Sequence, residues 1–305
     1  MAFRTKLFIC AAFLALSTTF AAAEERVPTS LTAEVMDYDV ETGEFMAQGS
    51  VKLKREGVTI ESAYGSANTQ TQKARMWDKV HAYGKYNGEN LDAKCAQLDA
   101  DFAVDGGEYI MTGNVDATFG ARVLRSDMAK LAGQKFAAEN VRHFEDKSRN
   151  FVLTCSTITG DYDSEGLRVA DGVGKVVVTQ DDKDKNSKLW CNSFAYRREQ
   201  DRLTGSGNAR ILVTQKADKN KVTDIHCDTV TYSFKAGSVT ASGNARAVQD
   251  GRRVNAKNLI YYPESGKLEA KGKPTITVDL VQSGKKSPSR QSRAGNVKRG
   301  TRGGK

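Results

Sequence analysis

The sequence predicts an all-β protein made of about eight copies of one strand–turn–strand unit, stacked into an elongated sheet sandwich or β-solenoid. Three observations predict it: an internal duplication, an apolar period of two residues, and the absence of any helical period. The duplication is plainest where Leu189-Trp190-Cys191-Asn192-Ser193-Phe194-Ala195-Tyr196 returns as Ile225-His226-Cys227-Asp228-Thr229-Val230-Thr231-Tyr232, 36 residues later. Gly205-Ser206-Gly207-Asn208-Ala209-Arg210 returns at the same interval as Ala241-Ser242-Gly243-Asn244-Ala245-Arg246. The whole unit is therefore repeated, not one fragment of it.

Each unit opens on a small residue: Ala33, Ser62, Cys95, Ser126, Cys155, Cys191, Cys227 and Ala256, at spacings of 29 to 36 residues. Its second half carries a Gly-Asn-Val-like step, as in Gly49-Ser50-Val51, Gly113-Asn114-Val115, Gly174-Lys175-Val176 and Gly272-Lys273-Pro274. In the second and fourth units an acid replaces the glycine, at Asp78 and Glu139. Around that step Phe45, Ala47, Gly49, Val51 and Leu53 alternate strictly, as do Leu203, Gly205, Gly207, Ala209, Ile211 and Val213, which makes a strand with one buried face. In the first half of the unit, apolar residues fall at −2 and 0 from the small residue and then at +3 and +5. The inward face switches in between, so a bulge or sheet corner is expected there. Glu41-Thr42-Gly43, Asp105-Gly106-Gly107, Lys235-Ala236-Gly237 and Glu264-Ser265-Gly266 are hairpin turns.

Two longer segments, Asp181 to Lys188 and Ala217 to Lys221, follow the second strand of units five and six and are expected to protrude from one edge. Pro274 interrupts a strand pattern and removes a ladder donor, which places the last strand at a sheet edge. The units divide into 24–150, holding the first four, and 151–282, holding the last four.

The two termini read differently. Arg4 and Lys6 precede an apolar run from Leu7 to Phe20 that ends in Ala21-Ala22-Ala23 before Glu24, the layout of a signal peptide over 1–23. That run is too short to span a bilayer, so an exported, periplasmic protein is expected. Residues 283–305 carry eight Lys and Arg and no acid, with almost nothing apolar, and are expected to be a disordered basic tail. With those eight and the two of the signal segment set aside from the net +9, the body stands near −1. The charge is thus confined to the tail, where it suits an anionic surface such as lipid headgroups. Export and a near-neutral body speak against a nucleic-acid partner.

Reactive side chains do not assemble into a recognisable active site. His81, His143 and His226 fall in strands of different units, and no nucleophile elbow or phosphate-binding loop accompanies them. No enzyme activity, no cofactor and no metal are expected. Apart from Cys10, every cysteine occupies the opening position of a unit, where Ala and Ser also occur, so a small buried residue is the plain reading of Cys95, Cys155, Cys191 and Cys227. A Cys191–Cys227 disulfide between stacked units stays open in an oxidising compartment. What the units do offer is an apolar interior. Its stripe comprises Met36, Tyr38, Phe45, Val51, Leu53, Leu98, Met111, Val115, Phe194, Tyr196, Ile211, Val230, Tyr232, Leu259 and Ile276. Either it is fully packed, or the sandwich is splayed and the stripe lines a groove for acyl chains.

Ala33-Glu34-Val35-Met36-Asp37-Tyr38 followed by Phe45-Met46-Ala47-Gln48-Gly49-Ser50-Val51, and its copy at Cys227 to Asn244, resembles the OstA-like repeat of lipopolysaccharide-transport periplasmic bridge proteins. The resemblance covers about 31 to 280. It implies a twisted β-jelly roll open at both ends that binds lipid A acyl chains inside. It also implies edge-strand pairing with inner- and outer-membrane partners of the transport machinery, and head-to-tail assembly of like copies. The chain departs from that pattern by holding about twice the units of a single-module member, which leaves open whether it resembles the bridge component or a longer relative. A structural or adhesive β-solenoid of the cell envelope, with a filled interior, is the alternative.

Overall fold

The described residues form one open antiparallel sheet of eighteen strands, in which every strand but the short terminal ones lies beside both the strand that precedes it and the one that follows. The computed structural model describes residues 29–278, except 87, 105, 149, 164, 165, 198, 219, 220 and 234 and the side chains of 162, 163 and 166–170. The expected signal peptide and basic tail lie outside the described residues.

The strands are β1 (Thr29–Thr32), β2 (Val35–Tyr38), β3 (Glu44–Arg55), β4 (Val58–Asn68), β5 (Lys73–Tyr86), β6 (Glu89–Asp101), β7 (Glu108–Phe119), β8 (Arg122–Ala132) and β9 (Lys135–Asp146). They continue as β10 (Phe151–Asp163), β11 (Gly166–Asp181), β12 (Lys185–Arg197), β13 (Arg202–Gln215), β14 (Val222–Ser233), β15 (Ser238–Gln249), β16 (Arg252–Tyr262), β17 (Lys267–Lys271) and β18 (Thr275–Val278). At one end β1 and β2 each pair with half of β3; at the other, β17 and β18 each pair with half of β16. The terminal pairs are thus one bent strand each, broken at Ala33-Glu34 and at Gly272-Lys273-Pro274. The proline that the sequence places at an edge sits in that second break. The eight opening residues of the units fall one to each even-numbered strand from β4 to β16, with Ala33 between β1 and β2.

A single line of bends crosses the whole sheet. From β3–β4 through β15–β16 every ladder slips on this line, and β10–β11 slips a second time: Gln48 pairs with Tyr64 but Val51 with Ser62, so the odd strand takes one step more than the even strand. The same slip lies between Thr112 and Val115, Ser206 and Ala209, and Ser242 and Ala245. The surplus residue belongs to the Gly-Asn step, whose two residues are both left-handed: Gly113 at φ +80° and Asn114 at +52°, Gly243 at +75° and Asn244 at +47°. Glycine adopts this region without a steric cost and asparagine more cheaply than most residues, which is why this dipeptide recurs. The sequence places the bulge in the first strand of each unit and leaves the second regular; the extra residue is in fact in the second. The left-handed pair turns the chain yet keeps Ala47 and Val51 on one face four residues apart, so the alternation conceals it. Opposite it, inward positions pass from Ser62 to Gly65 in three residues, and that phase change was the visible trace.

In β4, β6, β8 and β10 the opening side chain completes the bend. Ser62 Oγ donates to the carbonyl of Tyr64 at 2.7 Å and Ser126 Oγ to that of Met128 at 2.9 Å, while Cys95 and Cys155 Sγ make the same reach to Gln97 and Thr157 at 3.2 Å. A carbonyl freed from the ladder in a buried corner is costly to leave bare, and a two-atom side chain with a terminal donor is what fits. Inward residues on both sides of the bend line form one continuous core in which Met76, Phe144, Leu153, Ile158, Ile225, Leu259 and Tyr261 are wholly buried.

Two expectations are corrected. Most of Asp181 to Lys188 does not protrude, because Asp181 and 185–188 extend the β11–β12 ladder and only 182–184 turn. The neighbouring turn does lie on the same edge: the Lys216 amide donates to the Asp184 carbonyl at 2.9 Å, and Lys216 Nζ meets Asp181 at 2.6 Å. Nor do the cysteines bridge: Cys95, Cys155, Cys191 and Cys227 are free buried thiols. Cys191 on β12 and Cys227 on β14 are separated by β13, with Ala209 paired to Cys227. Two strand spacings amount to roughly 9.5 Å, beyond the roughly 7 Å that a disulfide allows between Cα atoms. Adjacent units are two strands apart, so the same argument excludes Cys155–Cys191.

Candidate lipid-binding interior

The bend folds each long strand into two arms whose inward faces look at one another. In the N-terminal half they do not close completely, and a cavity of about 130 Å³ remains between them. Leu53, Val58, Ile60, Ala82, Leu91, Ala93, Ala117 and Leu124 line it from one arm; Leu98, Met111, Ala129, Leu131 and Phe136 line it from the other. Strands β6 and β8 contribute to both walls, one segment on each side of the bend. Alternation supplies the apolar lining, and alanine at every few inward positions supplies the room.

The far edges of the arms meet along an aromatic seam. Tyr86 at the end of β5 meets Tyr109 of β7 edge-on, with ring centroids 6.2 Å apart, and also touches Phe119. Tyr109 packs edge-on against Phe102 at 6.1 Å. Burial pushes the Tyr109 phenol above its ordinary pKa, partly offset by the positive charge of Arg55. Three cations border the cavity. Arg122 is held by Glu89 at 3.0 Å and by Asp146 at 3.8 Å, and Lys130 by Glu108 at 2.6 Å. Arg55 lies with its guanidinium carbon 4.5 Å from the centre of the Phe102 ring.

Beneath the terminal strand β1 lies a second hollow of about 380 Å³. Leu31, Phe45, Ala67 and Ala74 line it, and it shares Leu53, Arg55 and Phe102 with the first cavity. The Arg55–Phe102 pair is therefore the partition between the inner cavity and the open N-terminal end.

Of the residues assigned to the inward stripe, Val51, Leu53, Leu98, Val115, Phe194, Ile211, Val230 and Leu259 are buried, and Phe45, Met111, Tyr196 and Tyr232 are half-buried on the same interior. Leu53, Leu98 and Met111 reach the cavity itself. Met36, Tyr38 and Ile276 are exposed. They belong to the terminal strands, which among the described residues have a partner on one side only, and this leaves their inward-type side chains uncovered by any described strand. The stripe misses Arg55, Tyr86, Phe102, Tyr109, Phe119 and Arg122, because they stand at strand ends next to turn residues, where polarity masks an inward position. The recurrence of an aromatic at the last inward place before a turn is the signal that identifies them.

The reactive residues take structural roles. The histidines lie apart, each beside one carboxylate: His81 with Asp92, His143 with Glu145 and His226 with Asp224. Among the described residues no group of three His, Cys, Asp or Glu could hold a metal. Burial pushes the thiols of Cys95, Cys191 and Cys227 up to about 11 and that of Cys155 up to about 12, so they stay protonated and unreactive near neutrality.

No protein-family model matches this sequence, and no curated protein matches it. Among solved structures it is similar to LptH of Pseudomonas aeruginosa, the LptA-homologous periplasmic component of the lipopolysaccharide transport device. That similarity spans 48% of this chain and 95% of LptH, at 16% identity and a TM-score of 0.32.

Proposed function

We propose that this protein binds lipopolysaccharide in the periplasm and forms part of a bridge that carries it from inner to outer membrane, contributing to outer-membrane assembly. The observation that carries this reading is an apolar cavity between two facing arms of one sheet whose two ends, among the described residues, carry no further strand. The edge strands β2 and β18 leave Val35, Met36, Tyr38, Ile276 and Val278 exposed, so the interior stripe has apolar continuations ready for a partner's strand.

Size decides how such a site works. An apolar cavity of about 150 Å³ holds one benzene, so the 130 Å³ here takes a short apolar segment and a full acyl chain requires the arms to part. The aromatic contact across the seam is worth about 0.5–1.5 kcal/mol and the Arg55–Phe102 contact about 0.5–2 kcal/mol. An entering chain that replaces those contacts can open the seam at little net cost.

Titration of the delipidated mature protein with lipopolysaccharide, followed by displacement of a fluorescent acyl probe, tests the reading. Saturable binding is expected, with Met111→Glu weakening it at least tenfold while the β-sheet circular dichroism is retained. Absence of saturable binding, or equal binding by a folded Met111→Glu protein, overturns it and favours the filled, structural solenoid. The tight interior of the C-terminal half, where Val230, Ala241 and Leu259 are wholly buried, suits that second reading.

A further inference from the structure

We infer that Arg55 is an anion-recognition residue at the inner end of the N-terminal opening, where it pairs with the carboxylate or phosphate of an amphiphile whose apolar part occupies the cavity. This rests on the interior being a lipid site. The cavity lining is almost entirely apolar, so the cations on its border are the groups available to read a headgroup. Two of the three are engaged. Arg122 sits between Glu89 and Asp146, and Lys130 has a carboxylate at 2.6 Å.

Arg55 has no carboxylate as close. Its Nε is sealed from solvent and makes no hydrogen bond, which is equally true of the Arg122 Nε, so the difference lies in the two hydrogen bonds that Arg122 Nη1 makes to Glu89. Its Nη1 reaches Thr29 Oγ1 only at 3.4 Å, near the limit of a hydrogen bond, and the nearest carboxylate, Glu56, is 3.8 Å away and half exposed. The other groups that face it are Phe102, beneath the guanidinium, and Tyr109. A guanidinium carries five donors in a planar fork matched to carboxylate and phosphate. The contact with Glu56 is long and its carboxylate is half exposed, which makes it weak, whereas a charge-assisted hydrogen bond is among the stronger polar contacts, so an incoming anion displaces Glu56. The location fits the chemistry: Arg55 borders both the cavity and the hollow at the open end. An acyl chain entering past Phe102 therefore brings its headgroup to rest against this side chain.

The test uses the mature full-length protein and three single-chain probes: palmitate, 1-palmitoyl lysophosphatidate and the uncharged 1-monopalmitoylglycerol, each displacing a fluorescent acyl probe. Arg55→Gln should weaken palmitate and lysophosphatidate about tenfold and leave monopalmitoylglycerol within twofold, with Arg55→Lys in between. The ratio of the two anionic losses separates carboxylate from phosphate preference. Lys54→Gln, which removes an exposed charge from the adjacent position, should change none of the three and so separates local pairing from bulk charge. Equal loss for charged and uncharged probes, no loss for any, or the same loss in Lys54→Gln overturns the assignment while leaving the lipid site standing. If none of the three binds the unmodified protein, the lipid reading fails and this one with it.

Discussion

At the scale of single residues, the opening position of each unit shows how a repeat tolerates substitution within a narrow chemistry. Ser126 is wholly buried and its hydroxyl serves the Met128 carbonyl. Ser126→Ala leaves that acceptor bare in an apolar corner, and a loss of about 1–2 kcal/mol in urea denaturation is expected. Ser126→Cys should lose less, since Cys95 and Cys155 make the same contact in their own units. The thiols also give the fold an alkaline limit. In the folded chain they titrate at about 11 to 12, against 9.0 for an ordinary thiol. The folded state therefore holds its protons longer than the unfolded one. The stability that the thiols contribute is complete below pH 9 and falls as pH rises from there towards 12. Urea midpoints measured from pH 7 to 11 should drop above pH 9, and drop less steeply when Cys155 and Cys191 are both replaced by Ser. At neutral pH none of the four should react with a thiol reagent until the chain is unfolded.

At the scale of elements, the informative strands are those with, among the described residues, a partner on one side only. β18 pairs with the first half of β16 through Thr275↔Asn255 to Val278↔Arg252, and its outer backbone edge faces no strand among the described residues. Its Ile276 and Val278 are exposed, as are Val35 and Met36 of β2. End-to-end association by strand addition is then expected at high protein concentration. Ile276→Lys, a charge on an edge strand, should return the protein to monomer as judged by sedimentation velocity, without changing its thermal midpoint by more than about 2 °C. Oligomers that persist in that variant and in a protein ending before Thr275 would place the contact elsewhere.

At the scale of the whole molecule, each strand from β3 to β16 hydrogen-bonds to its sequence neighbours, so stability is a sum of units and nearest-neighbour contacts. Removing β16 to β18, residues 252–278, should leave the remaining strands folded, with a denaturant slope reduced roughly in proportion to the surface lost. Collapse of the entire sheet on that truncation would show long-range cooperativity that the topology does not contain. The two halves also differ in packing. The cavity lies wholly within β3 to β9, whereas Ile225, Val230, Ala241 and Leu259 fill the interior around β14 to β16.

The sequence by itself determined the number of units, their strands and turns, the buried stripe except for Met36, Tyr38 and Ile276, and the edge character of the last strand among the described residues. Each of these is a local consequence of period-two burial, of glycine and asparagine at left-handed positions, or of proline's missing donor. It also held the trace of the bend, in the three-residue step from Ser62 to Gly65, though not which strand carries the surplus residue. Only the tertiary structure decided what meets across the bend. It set β13 between Cys191 and Cys227 and so excluded their disulfide. It also brought Arg55 from the end of β3 onto Phe102 at the end of β6. Contacts of that kind join residues at strand ends some fifty positions apart, on opposite arms. No periodicity along the chain encodes them, because they depend on how sharply every intervening strand turns.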